Sequence, residues 1–138
     1  MAELAIGVDV GGTKIAAGVV DRQGKIVRRI ERPTEKESQE KLLALLDEIV
    51  QGLMVDGVVA IGFGLPSTID QRTGRVVGSV HVPIGDLDFR DRMDETLPVP
   101  VALDNDANAA AIAEWKVGAG RGTRHMIMLT LGTGVGGG

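Results

Sequence analysis

Near the start of the chain, Asp9-Val10-Gly11-Gly12-Thr13-Lys14 follows a strand-like run, Leu4-Ala5-Ile6-Gly7-Val8. Adjacent glycines let a turn expose backbone N–H groups with no Cβ in the way, and a concave array of such groups binds anions. Thr13 adds a hydroxyl donor and Lys14 a positive charge. Asp9, at the strand end, is placed to hold Mg²⁺ beside phosphates, directly or through water. The same residues also suit an ordinary tight hairpin with a solvated lysine, and alone they leave both readings open. A second glycine loop, Gly132-Thr133-Gly134-Val135-Gly136-Gly137, comes after the apolar run Met126-Ile127-Met128-Leu129-Thr130-Leu131. It matches G-x-G-x-x-G after a strand, by itself a weak dinucleotide pattern whose confirming helix and acidic residue would fall past residue 138. A flexible glycine tail is the alternative. No G-x-x-x-x-G-K-[ST] occurs, so a Walker-type grip is excluded. Two Gly-Thr turns, each fed by an apolar strand, suggest one phosphate chain gripped from two sides.

A third constellation is Leu103-Asp104-Asn105-Asp106-Ala107-Asn108-Ala109-Ala110-Ala111. Asp and Asn are strong helix N-caps, and capping alone would explain one of them. Four such residues stand within 104–108, ahead of a helix with almost no polar face before Glu114. That helix is expected to be buried, with its N-terminus at an internal cleft. A carboxylate at a helix N-terminus is stabilised as an anion, and such a group accepts a hydroxyl proton as a general base. Gly64-Leu65-Pro66-Ser67-Thr68 ends another strand. Ser67 and Thr68 suit either hydrogen bonds to a polyol or a plain turn. His81 and His125 have no second ligand at metal spacing and read as structural or surface residues.

The elements that must position these groups form a mixed α/β pattern. Strands are expected at 3–10, 13–20 and 25–31, an antiparallel meander with turns at Gly11-Gly12 and Asp21-Arg22-Gln23-Gly24. Thr34-Glu35-Lys36-Glu37 has the form of a capping box. Leu42, Leu45, Leu46, Ile49 and Leu53 then recur at helical spacing, with Gly52 as a stop. A continuous apolar run, Val58-Val59-Ala60-Ile61-Gly62-Phe63-Gly64, reads as a strand covered on both faces. A short hairpin around 71–74, a weaker helix over 87–96, a strand over 99–103, a helix over 105–117 and a last strand over 126–131 complete the order β-β-β-α-β-α-β-α-β. Trp115, Phe63 and Phe89 are the only aromatics, so Val, Ile, Leu and Ala must pack the core. The net charge of −4, with no dense Lys/Arg block, gives no nucleic-acid footprint. Cysteine is absent, which removes disulfides and thiolate metal sites. No signal-like leader or membrane-length apolar run occurs, so a cytoplasmic protein with no membrane partner is expected.

Taken together, Asp9 to Lys14, Gly64 to Ser67, Asn105 to Asn108 and Leu131 to Gly138 resemble the ROK family, named for repressors, open reading frames and kinases, and within it the bacterial glucokinases. Order and spacing match over all 138 residues. The resemblance implies the actin/hexokinase superfamily fold: ribonuclease-H-like domains, each a mixed sheet with helices on both faces, and ATP between them. Residues 1–125 would form the N-terminal domain, and 126–138 the first strand and phosphate loop of a second. It implies Gly11, Gly12, Thr13 and Lys14 as one phosphate motif and Gly132, Thr133 and Gly134 as the other. Asp106 falls at the catalytic base, Asn105 and Ser67 at sugar contacts, and Asp9 beside Mg²⁺. Ser67 stands where a sugar-contacting glycine is frequent, and His81 where an Asn is common. The family's later His and Glu sugar ligands, zinc cysteines and adenosine motif have no counterpart here, and zinc is not expected within 1–138.

The implied activity is ATP-dependent phosphorylation of a hexose, glucose to glucose 6-phosphate, by a homo-oligomer at full length, with residues 1–138 inactive or nearly so alone. The rival readings are a sugar-responsive transcriptional regulator, a sugar sensor without turnover and a nonkinase ATPase. A regulator's winged helix would have to precede a phosphate strand that starts within the first few residues. The Asn105-Asp106-Ala107-Asn108 group argues against a plain ATPase.

Overall fold

The structure, a computed structural model, describes residues 2–132 and 134–138. Its centre is a five-stranded sheet in the order β3-β2-β1-β4-β8. β1 (Leu4–Val10), β2 (Lys14–Asp21) and β3 (Ile26–Pro33) are the antiparallel meander expected from the sequence. β4 (Val58–Leu65) and β8 (Val101–Asn105) then run parallel to β1. α1 (Gln39–Leu53) supplies the crossover from β3 to β4. Between β4 and β8 lie a small antiparallel sheet of β5 (Thr68–Asp70), β6 (Arg75–Gly78) and β7 (Gly85–Leu87), then α2 (Phe89–Thr96). α3 (Asp106–Val117) follows β8 directly, and β9 (Leu129–Leu131) and β10 (Val135–Gly137) form a separate hairpin.

Alternation along the strands sends Ile6, Val8 and Val10 of β1, Ile61, Phe63 and Leu65 of β4, and Val101 and Leu103 of β8 into one core. On that face α1 packs Leu42, Leu46, Ile49, Val50 and Leu53, and α2 packs Phe89 and Met93. Phe63 and Phe89 meet edge to face with ring centroids 5.1 Å apart. A half-buried fork, Arg92 Nη1 and Nη2 each 2.6 Å from an Asp47 carboxylate oxygen, ties α2 to α1. The opposite sheet face carries small residues, Gly7, Gly18, Gly62, Gly64 and Ala102, and lines a cavity with α3. Gly64 is what lets α3 approach: a Cβ there would lie 3.5 Å from Asp106 Cα and 3.6 Å from Ala109 Cβ. Helices thus stand on both faces.

Four expectations need correction. α1 is capped by Ser38, whose Oγ accepts from the Lys41 N–H at 3.1 Å, and not by Thr34. Thr34 is claimed elsewhere: its Oγ1 donates to the Gly11 carbonyl at 2.7 Å and its N–H to the Thr13 carbonyl at 2.9 Å. Val99 precedes β8, because Pro98 and Pro100 remove ladder donors on both sides of it. The strand expected from residue 126 begins at Leu129 and, among the described residues, pairs only with β10. α3, expected to be buried, buries only Ala107 and Ala111, while Ile112, Trp115 and Val117 are exposed. Among the described residues only β4, β8 and β10 lie against it in any number, so its outer side has no cover.

Candidate active site

Three parallel strands end at one edge of the sheet and carry their last residues there in register. Asp9 pairs with Gly64 and Gly64 with Asp104, while Leu65 pairs with Asn105. β1 therefore delivers the turn Gly11-Gly12-Thr13, β4 delivers Pro66-Ser67, and β8 delivers Asn105-Asp106. Open α/β sheets place their ligand crevices at this carboxyl edge. A cleft of about 1020 Å³ opens here, lined by Gly12, Thr13, Ser67, Asn105 and Asp106 on one side and by Thr130, Gly132 and Gly134 on the other.

The first turn is tight. The Gly11 N–H donates to the Lys14 carbonyl at 2.9 Å, and a Cβ on Gly11 would sit 2.7 Å from that same oxygen. Only glycine fits without moving backbone. Lys14 is not on the cleft wall; its ammonium lies 3.4 Å from Glu31 Oε1 on β3, both groups exposed. The second loop caps the β9–β10 hairpin beside the start of α3, where a Cβ on Gly136 would lie 3.3 Å from Ala107 Cβ. Thr133, expected at its centre, lies outside the described residues.

The polar run at 104–108 divides its labour. Asn105 is the N-cap: its Oδ1 accepts from the N–H groups of Ala107 at 3.0 Å and Asn108 at 3.3 Å, and its Nδ2 donates to the Ser67 carbonyl at 3.4 Å. Asp104 Oδ1 accepts from the Asn105 N–H, Gln71 Nε2 and Asn108 Nδ2 at 2.7–3.2 Å. Asp106 differs. Among the described residues its carboxylate takes one bond, from the Ala107 N–H to Oδ1 at 2.9 Å, so Oδ2 is left for a ligand. Ser67 is 6% exposed, and its Oγ is the one buried side-chain polar atom among the described residues without a hydrogen-bond partner. A buried hydroxyl left unpaired is unfavourable unless a ligand or water completes it.

Asp9 and Asp106 both reach the cavity under the open sheet face. Lost hydration raises the Asp9 carboxyl above its ordinary value near 3.8; the negative charge of Asp106 raises it further and Lys14 partly offsets both. Two carboxylates that repel each other on one cavity suit a divalent cation. Among the described residues no three acidic or imidazole groups gather to enclose one. That donor set fits Mg²⁺, which takes one or two carboxylates and completes its shell with water and phosphate oxygens.

Two residues outside the expected site set also line the cleft: His81, read as a structural or surface residue, and Lys36, placed in the capping box. Lys36 gets there because Thr34 folds the 34–38 segment back onto the Gly11-Gly12 turn, a long-range contact with no local signal. No helix among the described residues is long and apolar enough to cross a membrane.

The ROK family model matches residues 5–138. The chain belongs to the ROK family. It is 39% identical to a glucokinase of Streptomyces coelicolor over 136 residues, 98% of this chain and 43% of that protein. Among solved structures, a ROK glucokinase of Streptomyces griseus in complex with glucose and AMPPNP superposes with a TM-score of 0.87 at 37% identity. The match covers 97% of this chain and 43% of that one. The inorganic polyphosphate/ATP-glucomannokinase of an Arthrobacter strain gives a TM-score of 0.85 at 31% identity, over 98% of this chain and 57% of that one. The mixed sheet is that of ROK sugar kinases, the actin/hexokinase fold. The chain spans less than half the length of the curated relatives it matches.

Proposed function

We propose that these residues are the acceptor-side half of an ATP-dependent hexose kinase acting on glucose in the cytoplasm. The observation that carries the reading is Asp106: a carboxylate at a helix N-terminus with one oxygen uncommitted, opening into a cleft bounded by both glycine turns. Asp106 accepts the proton of the sugar 6-hydroxyl, and the oxygen so activated attacks the terminal phosphorus of ATP. Ser67 Oγ and the remaining Asn105 amide N–H hold other sugar hydroxyls, which aligns the nucleophile. Backbone N–H groups of Gly12, Thr13 and Gly134 stabilise charge on the phosphates, while Gly11 and Gly132, whose N–H groups bond the Lys14 and Gly134 carbonyls, hold the two turns in shape. Thr133 belongs to the second loop by sequence, and Lys14 contributes long-range charge from its place beside Glu31. Asp9 holds Mg²⁺, directly or through water; the ion neutralises negative charge on the transferring phosphates when bound.

In this reading the β9–β10 hairpin, within residues 126–138, opens the second domain, and 1–125 form the first. The similar Streptomyces griseus glucokinase, in complex with glucose and AMPPNP, supports the pairing of sugar and ATP. Phosphoryl transfer rests on positioning and electrostatics, so residues 1–138 alone are inactive or nearly so. The test is a coupled assay on the full-length polypeptide that carries these residues, with Mg-ATP and a panel of hexoses. The expected result is one ADP formed per glucose 6-phosphate. Glucose binding with no transfer to any hexose would make the protein a sensor, and robust turnover by 1–138 alone would overturn the assignment of the two walls.

A further inference from the structure

We propose that Lys36 and His81 form a second anion seat beside the Gly11-Gly12 turn, one that takes the terminal phosphoryl group of the donor and, after transfer, the phosphate of the product. The inference rests on the kinase reading for the identity of the anion, but the seat itself rests on geometry. Both side chains line the cleft that holds Asp106. Both are carried by fastened segments rather than by free loops: the one with Lys36 is bonded to the phosphate turn, the one with His81 to Pro66 and Gln39.

The 34–39 segment is pinned at each end. Thr34 bonds the Gly11 and Thr13 carbonyls, and Ser38 caps α1. The 79–85 segment is folded by Ser79, whose Oγ donates to the Pro66 carbonyl at 2.6 Å and accepts from the N–H groups of His81 and Val82 at 3.2 and 3.4 Å. This puts His81 against the turn: a Cβ on Gly12 would lie 3.5 Å from His81 Cβ. The Gly85 N–H donates to Gln39 Oε1 at 2.9 Å and closes the two segments on each other.

Charge bookkeeping favours the pair. The cation that the phosphate motif itself offers, Lys14, is committed to Glu31 outside the cleft. Lys36 has no ion pair among the described residues, while the acidic neighbours on its own segment are engaged: Glu37 with Lys41, and Glu35 with the Glu37 N–H. The carboxylate lining this cleft, Asp106, is the one assigned as the base, and Asp9, assigned to the metal, lines the cavity under the open sheet face instead. An ammonium with three donors and an imidazole with one or two are therefore free for phosphate oxygens in the cleft.

The test uses the full-length polypeptide and inorganic tripolyphosphate, a probe with neither nucleoside nor sugar, followed by titration calorimetry at low salt. Lys36→Gln combined with His81→Gln should weaken tripolyphosphate binding by about tenfold, more at low salt than high, as for charge-assisted bonds in a partly exposed site. Glucose affinity should stay within about twofold, since neither residue is assigned to the sugar, and Lys36→Arg, which keeps the charge, should retain tripolyphosphate binding. Tripolyphosphate binding that is absent in the parent, or unmoved in the double variant, overturns the seat. So does an equal loss of glucose and tripolyphosphate, which would mark a structural role. A parent that binds tripolyphosphate through these residues yet phosphorylates no hexose leaves the seat standing and overturns the kinase reading instead.

Discussion

The two glycine turns that face each other across the cleft are built very differently. The first joins two strands of a five-stranded sheet, and Thr34 is bonded across it. Its glycine is enforced by a backbone oxygen 2.7 Å from where a Cβ would stand. The second closes a hairpin of two three-residue strands whose Leu129, Leu131 and Val135 are 69%, 83% and 76% exposed. Around Gly132 and Gly134 nothing lies within 4 Å of an added Cβ. A two-stranded ribbon is marginal on its own. The first wall is thus preorganised by the sheet's core, whereas the second draws what order it has from α3. One wall can be shaped before any ligand arrives; the other is completed by what packs on it.

This contrast can be broken by experiment. The largest effect should come from the core beneath the first wall. Phe89→Ala removes a fully buried ring from the face that backs β4 and should destabilise the chain by about 3–5 kcal/mol in urea unfolding. Leu131→Ala on the second wall should stay within about 0.5 kcal/mol. Equal losses at the two positions would mean that the hairpin shares the core. Next come the turns themselves. Gly11→Ala forces the first turn open and should lower both melting temperature and ATP affinity in the full-length protein. Gly134→Ala should leave the melting temperature alone and weaken ATP only, because its open space is reserved for ligand. A fall in melting temperature with Gly134→Ala would contradict that assignment.

A smaller effect concerns Asp9. Its carboxyl is raised, so the folded state binds that proton more tightly than the unfolded chain does. The ionised group therefore works against the fold above its ordinary value near 3.8. Asp9→Asn should raise the melting temperature at neutral pH, and the gain should shrink as pH falls through that range and the native carboxyl is protonated. A gain that grew toward low pH would reverse the sign and refute the account.

Much of the frame was legible because it is local. Alternating apolar residues gave the meander, the Val58-to-Gly64 run gave β4, and helical spacing of Leu42, Leu46 and Ile49 gave α1. What failed was settled by tertiary competition. Thr34 carries a good cap residue's chemistry, but a carbonyl 23 positions away takes its hydroxyl, so Ser38 caps instead. β7 was missed because Gly85, Asp86 and Leu87 become a strand through tertiary pairing with β6. The burial expected for α3 followed from its composition, yet composition says which face wants cover and not whether a partner is there. Of the site, the strand ends that carry Asp9, Ser67 and Asn105-Asp106 could be read from motifs. Lys36 and His81 could not, since their place on the cleft depends on side chains folding two loops backward.

The account turns on Asp106 as the base. In the full-length polypeptide Asp106→Asn keeps size and helix-start geometry while removing the proton acceptor. It should lower kcat by about 10² or more and move the sugar KM little. A variant whose kcat stays within a few-fold of the parent would contradict the assignment and return Asp106 to the helix start as a structural residue.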